Sequence, residues 1–164
     1  ATPRTRYDLV RVGLAMYGLS PGPEVGTGHD LGLAPVMSLR ARLANVKRVP
    51  AGTGVSYGHE YTTESDTTLA LVPLGYADGL PRSAGNVGPV LAAGRVRSIA
   101  GRVSMDQVVL DLGDDPAAPG DEVVVFGGEG PTADEWAAAC GTISYEILTR
   151  IGPRVPRVYV GGPA

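Results

Sequence analysis

The chain has 164 residues, and 14 Lys and Arg against 17 Asp and Glu leave a net charge of −3. That mild acidity lacks the basic footprint of a nucleic-acid or anionic-membrane binder. No run without a formal charge exceeds 12 residues, so no segment reads as a bilayer-spanning helix.

Glycine (24) and proline (14) are abundant, which predicts frequent turns, while 20 Val and 15 Leu argue for a folded, largely β chain rather than a disordered one. No charged-then-apolar leader opens the sequence. Cys140 is the single cysteine, which excludes an internal disulfide framework and a Cys-rich zinc site. His29 and His59 lie far apart in sequence, and no metal is expected. A reducing, cytoplasmic setting is the default reading. Lys47 is the only lysine, against 13 Arg.

Residues 7–19 (YDLVRVGLAMYGL) form an apolar segment broken by Gly13 and Gly18, followed by a long turn-rich loop over 20–32. Such a segment cannot build a core of its own, so 1–33 reads as part of a different unit from 34–164. From Ala34 the pattern alternates: Met37, Leu39, Ala41 and Leu43 face one way, and Ser38, Arg40 and Arg42 the other. This predicts one long half-buried strand. Further strands are predicted over 69–73, 89–92, 96–100, 107–111 and 122–126, separated by turn clusters, as in a closed or sandwiched antiparallel domain. Thr132 with Glu135 forms a capping box and Gly141 supplies a stop, which predicts a helix. A second short helix is predicted over 144–150, then a terminal strand over 157–160 after Pro153 and Pro156.

Four places stand out chemically. Tyr57 sits in the Gly-rich turn of residues 52–59 (GTGVSYGH), where a loop tyrosine on a rigid scaffold can serve as acid or base, or pack its ring on the turn. Residues 75–79 (GYADG) and 101–107 (GRVSMDQ) read as turns carrying polar groups, or as solvated connections. Arg11 lies in an apolar run beside Gly13, where a guanidinium and open backbone amides suit an anion, or where the arginine is a plain surface residue.

In this order, residues 11–21 (RVGLAMYGLSP), 55–61 (VSYGHEY), 73–79 (PLGYADG), 101–107 (GRVSMDQ) and 142–157 (TISYEILTRIGPRVPR) resemble the C-terminal portion of bacterial alanine racemases. The resemblance implies a mainly β fold. An antiparallel barrel- or sandwich-like domain over 34–164, with short helices near its end, would follow the last strand and helix of a pyridoxal-phosphate-binding (β/α)8 barrel over 1–33.

By position, Tyr57 matches the family's catalytic tyrosine, which acts across a head-to-tail homodimer. Arg11 matches the arginine facing the ring nitrogen of pyridoxal 5′-phosphate. Gly13, Leu14 and Tyr145 match residues at its phosphate. Met105 matches the residue whose N–H holds the substrate carboxylate, and Tyr76 a tyrosine at the gate of the substrate channel. Arg82 and Arg102 fall at channel positions, and Asp106 accompanies Met105.

The implied activity is interconversion of L- and D-alanine, for peptidoglycan synthesis, by two bases on opposite faces of the substrate. The second base, a lysine, belongs to the barrel, and no family motif surrounds Lys47. The chain alone is therefore expected to bind the cofactor poorly and to be inactive. The alternatives are a non-catalytic β-domain serving as a binding or assembly module, or a related racemase acting on serine, lysine or several amino acids.

Overall fold

The computed structural model describes residues 7–161 and divides at Met37/Ser38 into two compact units. In the first unit the described residues form two short 3-10 turns, Leu14–Tyr17 and Pro23–Val25. No strand or α-helix forms among described residues 7–37, unlike the strand and helix expected there. A strand exists only as one side of a hydrogen-bonded ladder, and nothing among the described residues of this unit forms one.

Among its described residues the second unit is built on nine strands and two α-helices. They are β1 (Leu39–Arg42), β2 (Asn45–Val49), β3 (Gly54–Val55), β4 (Tyr61–Thr62), β5 (Thr67–Val72), β6 (Pro89–Ala92), β7 (Arg95–Ser98), β8 (Val108–Asp111), β9 (Glu122–Phe126), α1 (Ala133–Cys140) and α2 (Ser144–Thr149). One sheet runs β1-β9-β6-β7, a second β2-β5-β8, and β3 and β4 form a two-stranded ribbon. Every ladder is antiparallel. The two larger sheets are joined twice. Ile99 bridges to Leu110, with the Ala100 N–H donating to the Val109 carbonyl at 2.8 Å. At the other margin the chain passes directly from β1 to β2. The result is the barrel-like, mainly β architecture expected, with the two short helices near the C-terminus.

The alternation read from the sequence holds through β1, where Leu39 and Leu43 are buried while Arg40 and Arg42 are exposed. The single long strand does not. It breaks at Leu43 and Ala44, whose N–H groups donate to Asp121, just before β9 in one sheet, and to Leu71 of β5 in the other. A strand that leaves one sheet for the next must turn, and that corner carries no glycine or proline to announce it. The strand predicted over 157–160 is also absent. Arg157 instead folds back and donates to the carbonyls of Ile151, Gly152 and Val155 at 2.7 to 3.0 Å, and Val158, Tyr159 and Val160 are exposed.

Inward residues of both sheets (Ala70, Val72, Val90, Ala92, Val108, Leu110, Val123 and Val125) form the core. Trp136 of α1 is fully buried there, and its indole N–H donates to the Val125 carbonyl at 2.5 Å. The predicted capping box is present, with Thr132 and Glu135 each accepting the other's backbone N–H. The hairpin between β6 and β7 turns on Ala93 and Gly94, both at positive φ, as a two-residue turn matched to strand twist requires. Among the described residues no helix is long and apolar enough to cross a membrane.

Two features hold the loops in place. Asp111, at the end of β8, accepts from the Tyr61 hydroxyl at 2.7 Å, from the Thr67 hydroxyl and from the Gly113 N–H at 2.9 Å. It thereby ties β4 to β5 and β8. The second is a close crossing of backbones. A Cβ on Gly75 would lie 2.3 Å from the Met105 oxygen and 2.4 Å from the Ser104 oxygen, so only glycine fits.

Burial works to raise the Asp111 carboxyl, but its hydrogen bonds from Thr67, Tyr61 and Gly113, with Arg97 nearby, outweigh it and hold the group below its usual 3.8. Burial and then the Asp111 carboxylate push the Tyr61 phenol up from 10.0 to about 12.

A depressed carboxyl contributes stability that is present above its unfolded pKa and lost as pH falls through the folded value. A raised phenol contributes stability that is present below its unfolded pKa and lost as pH rises through about 12. Asp111→Asn is therefore expected to flatten the fall in melting temperature below about pH 4, read by thermal unfolding across pH. Gly75→Ala is expected to destabilise by about 1–3 kcal/mol, read by urea unfolding.

Candidate active site

The Tyr57 turn begins where β3 ends. Ser56 at φ 61 and Gly58 at φ 73 bend the chain sharply, and Tyr57 is left 69% exposed between them. Below it, Val49, Val55, Leu69 and Ala100 form a small buried cluster, with Tyr61 and Val109 against it. The turn is therefore mounted on packed strands rather than hanging free.

Its outer side is tied to residues 101–107. The Ser56 hydroxyl donates to the Arg102 carbonyl at 2.7 Å, and the Arg102 guanidinium pairs with Glu60. Donation from Arg102 holds the Glu60 carboxyl below its usual range, and the same bond raises the guanidinium. Gly101, at φ 80, lies against Val55 and Ser56, where a Cβ would meet the Val55 oxygen at 2.8 Å. Its N–H donates to Asn86 Oδ1 at 2.6 Å.

Residues 75–79 sit on the other end of that segment. The Tyr76 N–H donates to the Ser104 carbonyl at 3.1 Å and the Ala77 N–H to the Met105 carbonyl at 2.9 Å. Asp78, 7% exposed, takes the Gly75 N–H on Oδ2 at 2.8 Å. The 3-10 turn Arg82–Ala84 leads to Gly85, where a Cβ would lie 3.1 Å from the Gly101 oxygen. Tyr57, Tyr76, Arg102, Met105 and Asp106 thus belong to one continuous set of mutually bonded loops, with Arg82 two residues beyond Leu80, whose N–H donates to the Gly75 carbonyl at 3.2 Å.

Within that set the Met105 N–H has no backbone acceptor among the described residues. A peptide's N–H and C=O point in opposite directions. Because the Ser104 carbonyl faces the Tyr76 loop, the Met105 N–H faces away from it. Exposed side chains of Tyr57, Tyr76 (38%) and Met105 (53%) give this ridge an aromatic and thioether surface. Among the described residues Tyr61 is the tyrosine whose hydroxyl is hydrogen-bonded, which leaves those of Tyr57, Tyr76 and Tyr145 available.

The remaining predicted residues fall elsewhere. Arg11, Gly13 and Leu14 belong to the first unit. Gly13 opens the turn Leu14–Tyr17 and a Cβ there would meet nothing within 4 Å, so space lies open beside its backbone. Tyr145 is on α2, 43% exposed. Lys47 is exposed on β2 opposite Leu69. Among the described residues no group of three or more His, Cys, Asp or Glu could hold a metal ion. A hollow of about 460 Å³ surrounds Tyr61, Arg97 and Asp111 and includes none of the predicted site residues.

The sequence reading missed Arg154. Its guanidinium reaches Asp106 at 2.7 Å and the buried Asp78 at 3.3 Å, joining three of the quoted motifs. All three residues stood within those motifs, but charge pairing across 48 positions leaves no local signal.

Residues 36–159 match the family model described as alanine racemase, C-terminal domain. An alanine racemase of Streptomyces coelicolor is 64% identical over 162 residues, covering 96% of this chain and 41% of the relative. The crystal structure of alanine racemase from a D-cycloserine-producing Streptomyces lavendulae superposes with a TM-score of 0.94 at 63% identity, over 98% of this chain and 43% of that one. The alanine racemase of Bacillus anthracis with bound L-Ala-P gives 0.83 at 38% identity, over 93% and 40%. The chain spans about two fifths of the length of the relatives it matches. With the family's motifs, its C-terminal domain fold and identities this high all in agreement, the chain belongs to the alanine racemase family.

Proposed function

We propose that this chain acts as the C-terminal part of an alanine racemase that interconverts L- and D-alanine with pyridoxal 5′-phosphate. On this reading 34–164 is the family's β-domain and 1–33 the last part of its barrel, and the enzyme works as a homodimer. The carrying observation is the bonded set of loops that presents the Tyr57 hydroxyl, the Tyr76 ring and the outward Met105 N–H together. A structural module has no need to expose these groups on one ridge.

The cofactor supplies an electron sink that acidifies the substrate's α-hydrogen when bound. The residues assigned to it fit the group. Arg11, the backbone at Gly13 and Leu14, and the Tyr145 hydroxyl are donors without a negative charge, as a phosphate ester and a ring nitrogen require. Among the described residues Arg11 is exposed and makes no ion pair. An arginine there does not give up its proton, so it would donate a hydrogen bond to the ring nitrogen without protonating it.

Tyr57 removes or returns the α-proton on one face of the substrate through its hydroxyl oxygen. Its exposure supports action on a site formed with a second subunit. The Met105 N–H holds the substrate carboxylate and Tyr76 narrows the approach, with Arg82, Arg102 and Asp106 lining the way in. Inversion needs a second base on the opposite face, a lysine in the family. Lys47 does not supply it, since it sits on the outside of β2 with no site residue bonded to it.

In the full-length enzyme carrying this chain, Tyr57→Phe is expected to lower kcat by about 10²- to 10⁴-fold while cofactor absorbance is retained. Retained activity would overturn the assignment. The isolated chain, mixed with pyridoxal 5′-phosphate and D-alanine, is expected to form no L-alanine. Steady formation followed by chiral chromatography would overturn that expectation.

A further inference from the structure

We propose that Arg154 is a positioning residue for the substrate carboxylate, holding the peptide unit that carries the Met105 N–H. The inference rests on the reading above, in which that N–H receives the carboxylate. Arg154 never touches substrate in this account; it acts through Asp78 and Asp106.

The Met105 N–H shares its peptide plane with the Ser104 carbonyl, which is held by the Tyr76 N–H. The next plane is held through the Met105 carbonyl by the Ala77 N–H. Both holding groups lie in the loop that Asp78 closes by accepting the Gly75 N–H. Asp78 is nearly buried, and a carboxylate with so little water needs a cation. Arg154 is that cation, through Nε at 3.3 Å. Its other arm, Nη2, donates to Asp106 at 2.7 Å, on the residue that follows Met105. One planar guanidinium therefore bridges the two strips of backbone whose relative placement aims the N–H.

A guanidinium suits this task because its donors are fixed in a plane, so two carboxylates bound to it are also fixed relative to each other. The hydrogen bond to Asp106, and then the charge of Asp78, raise the Arg154 guanidinium. A lysine keeps the charge but not the fork.

The test is made in the full-length enzyme carrying this chain, with propanoate as a competitive probe that has the carboxylate of alanine without its amine. Arg154→Met is expected to raise KM for alanine and Ki for propanoate together, each by about tenfold, as loss of a charged hydrogen bond implies, with kcat within about threefold of the parent. Arg154→Lys is expected to recover part of both losses. A fall in kcat with KM and Ki unchanged would overturn the proposal, because a merely structural defect lowers the amount of active enzyme rather than its affinity for the carboxylate.

Asp106→Asn, which leaves the Arg154–Asp78 pair in place, serves if Arg154→Met does not fold. It is expected to raise the propanoate Ki about threefold, and an unchanged Ki would overturn the proposal. Met105→Pro removes the N–H itself. Unchanged propanoate affinity in that variant overturns the reading of Met105, and the inference with it. Lost affinity there, beside unchanged affinity in Arg154→Met, overturns the inference alone.

Discussion

At Gly75 two stretches of backbone approach closely enough that a single methyl group would strike the Ser104 and Met105 carbonyls. That contact lets the Tyr76 and Ala77 N–H groups reach those carbonyls, and so decides which way the Met105 N–H faces. Most of the ridge follows from it. Asp78 closes the loop behind Gly75, Arg154 neutralises Asp78, and Gly79 lies against the Arg150 carbonyl at the end of α2. The glycines of these motifs therefore exclude side chains where stretches of backbone must approach and bond one another.

The Tyr57 turn is held by different means. It protrudes from a ribbon only two residues wide on each side, and such a hairpin has little stability of its own. Its rigidity is borrowed from below and beside: from the cluster around Val55 and Leu69, from Asp111 through Tyr61, and from Ser56 and Glu60 through Arg102. These supports place the tyrosine without covering it, as the proton transfer proposed for it requires.

Much of this was legible in the chain. The alternation at Leu39, Ala41 and Leu43, the strands after it and the Thr132–Glu135 box reflect local rules of burial and capping, and they appear in the structure. Departures came where long-range partners decide. The corner at Leu43 and Ala44 is set by two separate ladders, so no residue type marks it. The segment after Pro156 has β-forming side chains at Val158, Tyr159 and Val160, but Arg157 occupies the preceding carbonyls and no strand is present to pair with it. The site residues were visible only as motifs in order, because what unites them is backbone contact between distant loops. Arg154 was invisible because its partners are side-chain charges far away in the sequence.

The passage of the chain from one sheet directly into the other at β1 and β2 also bears on how this unit forms. β1 completes its ladder only with β9, which pairs Arg42 with Glu122, so the first strand of this unit waits for its last among the described residues. Contacts this distant in sequence carry a large loop-closure entropy before they return any burial. Topologies closed by such distant pairings fold slowly as a class, and the β6–β7 hairpin and the capped α1 helix are the most local elements of this one. β1 stands at the end of its sheet even when β9 is in place, and the outward charges of Arg40 and Arg42 are the kind of side chain that discourages such an edge from recruiting a strand of another molecule.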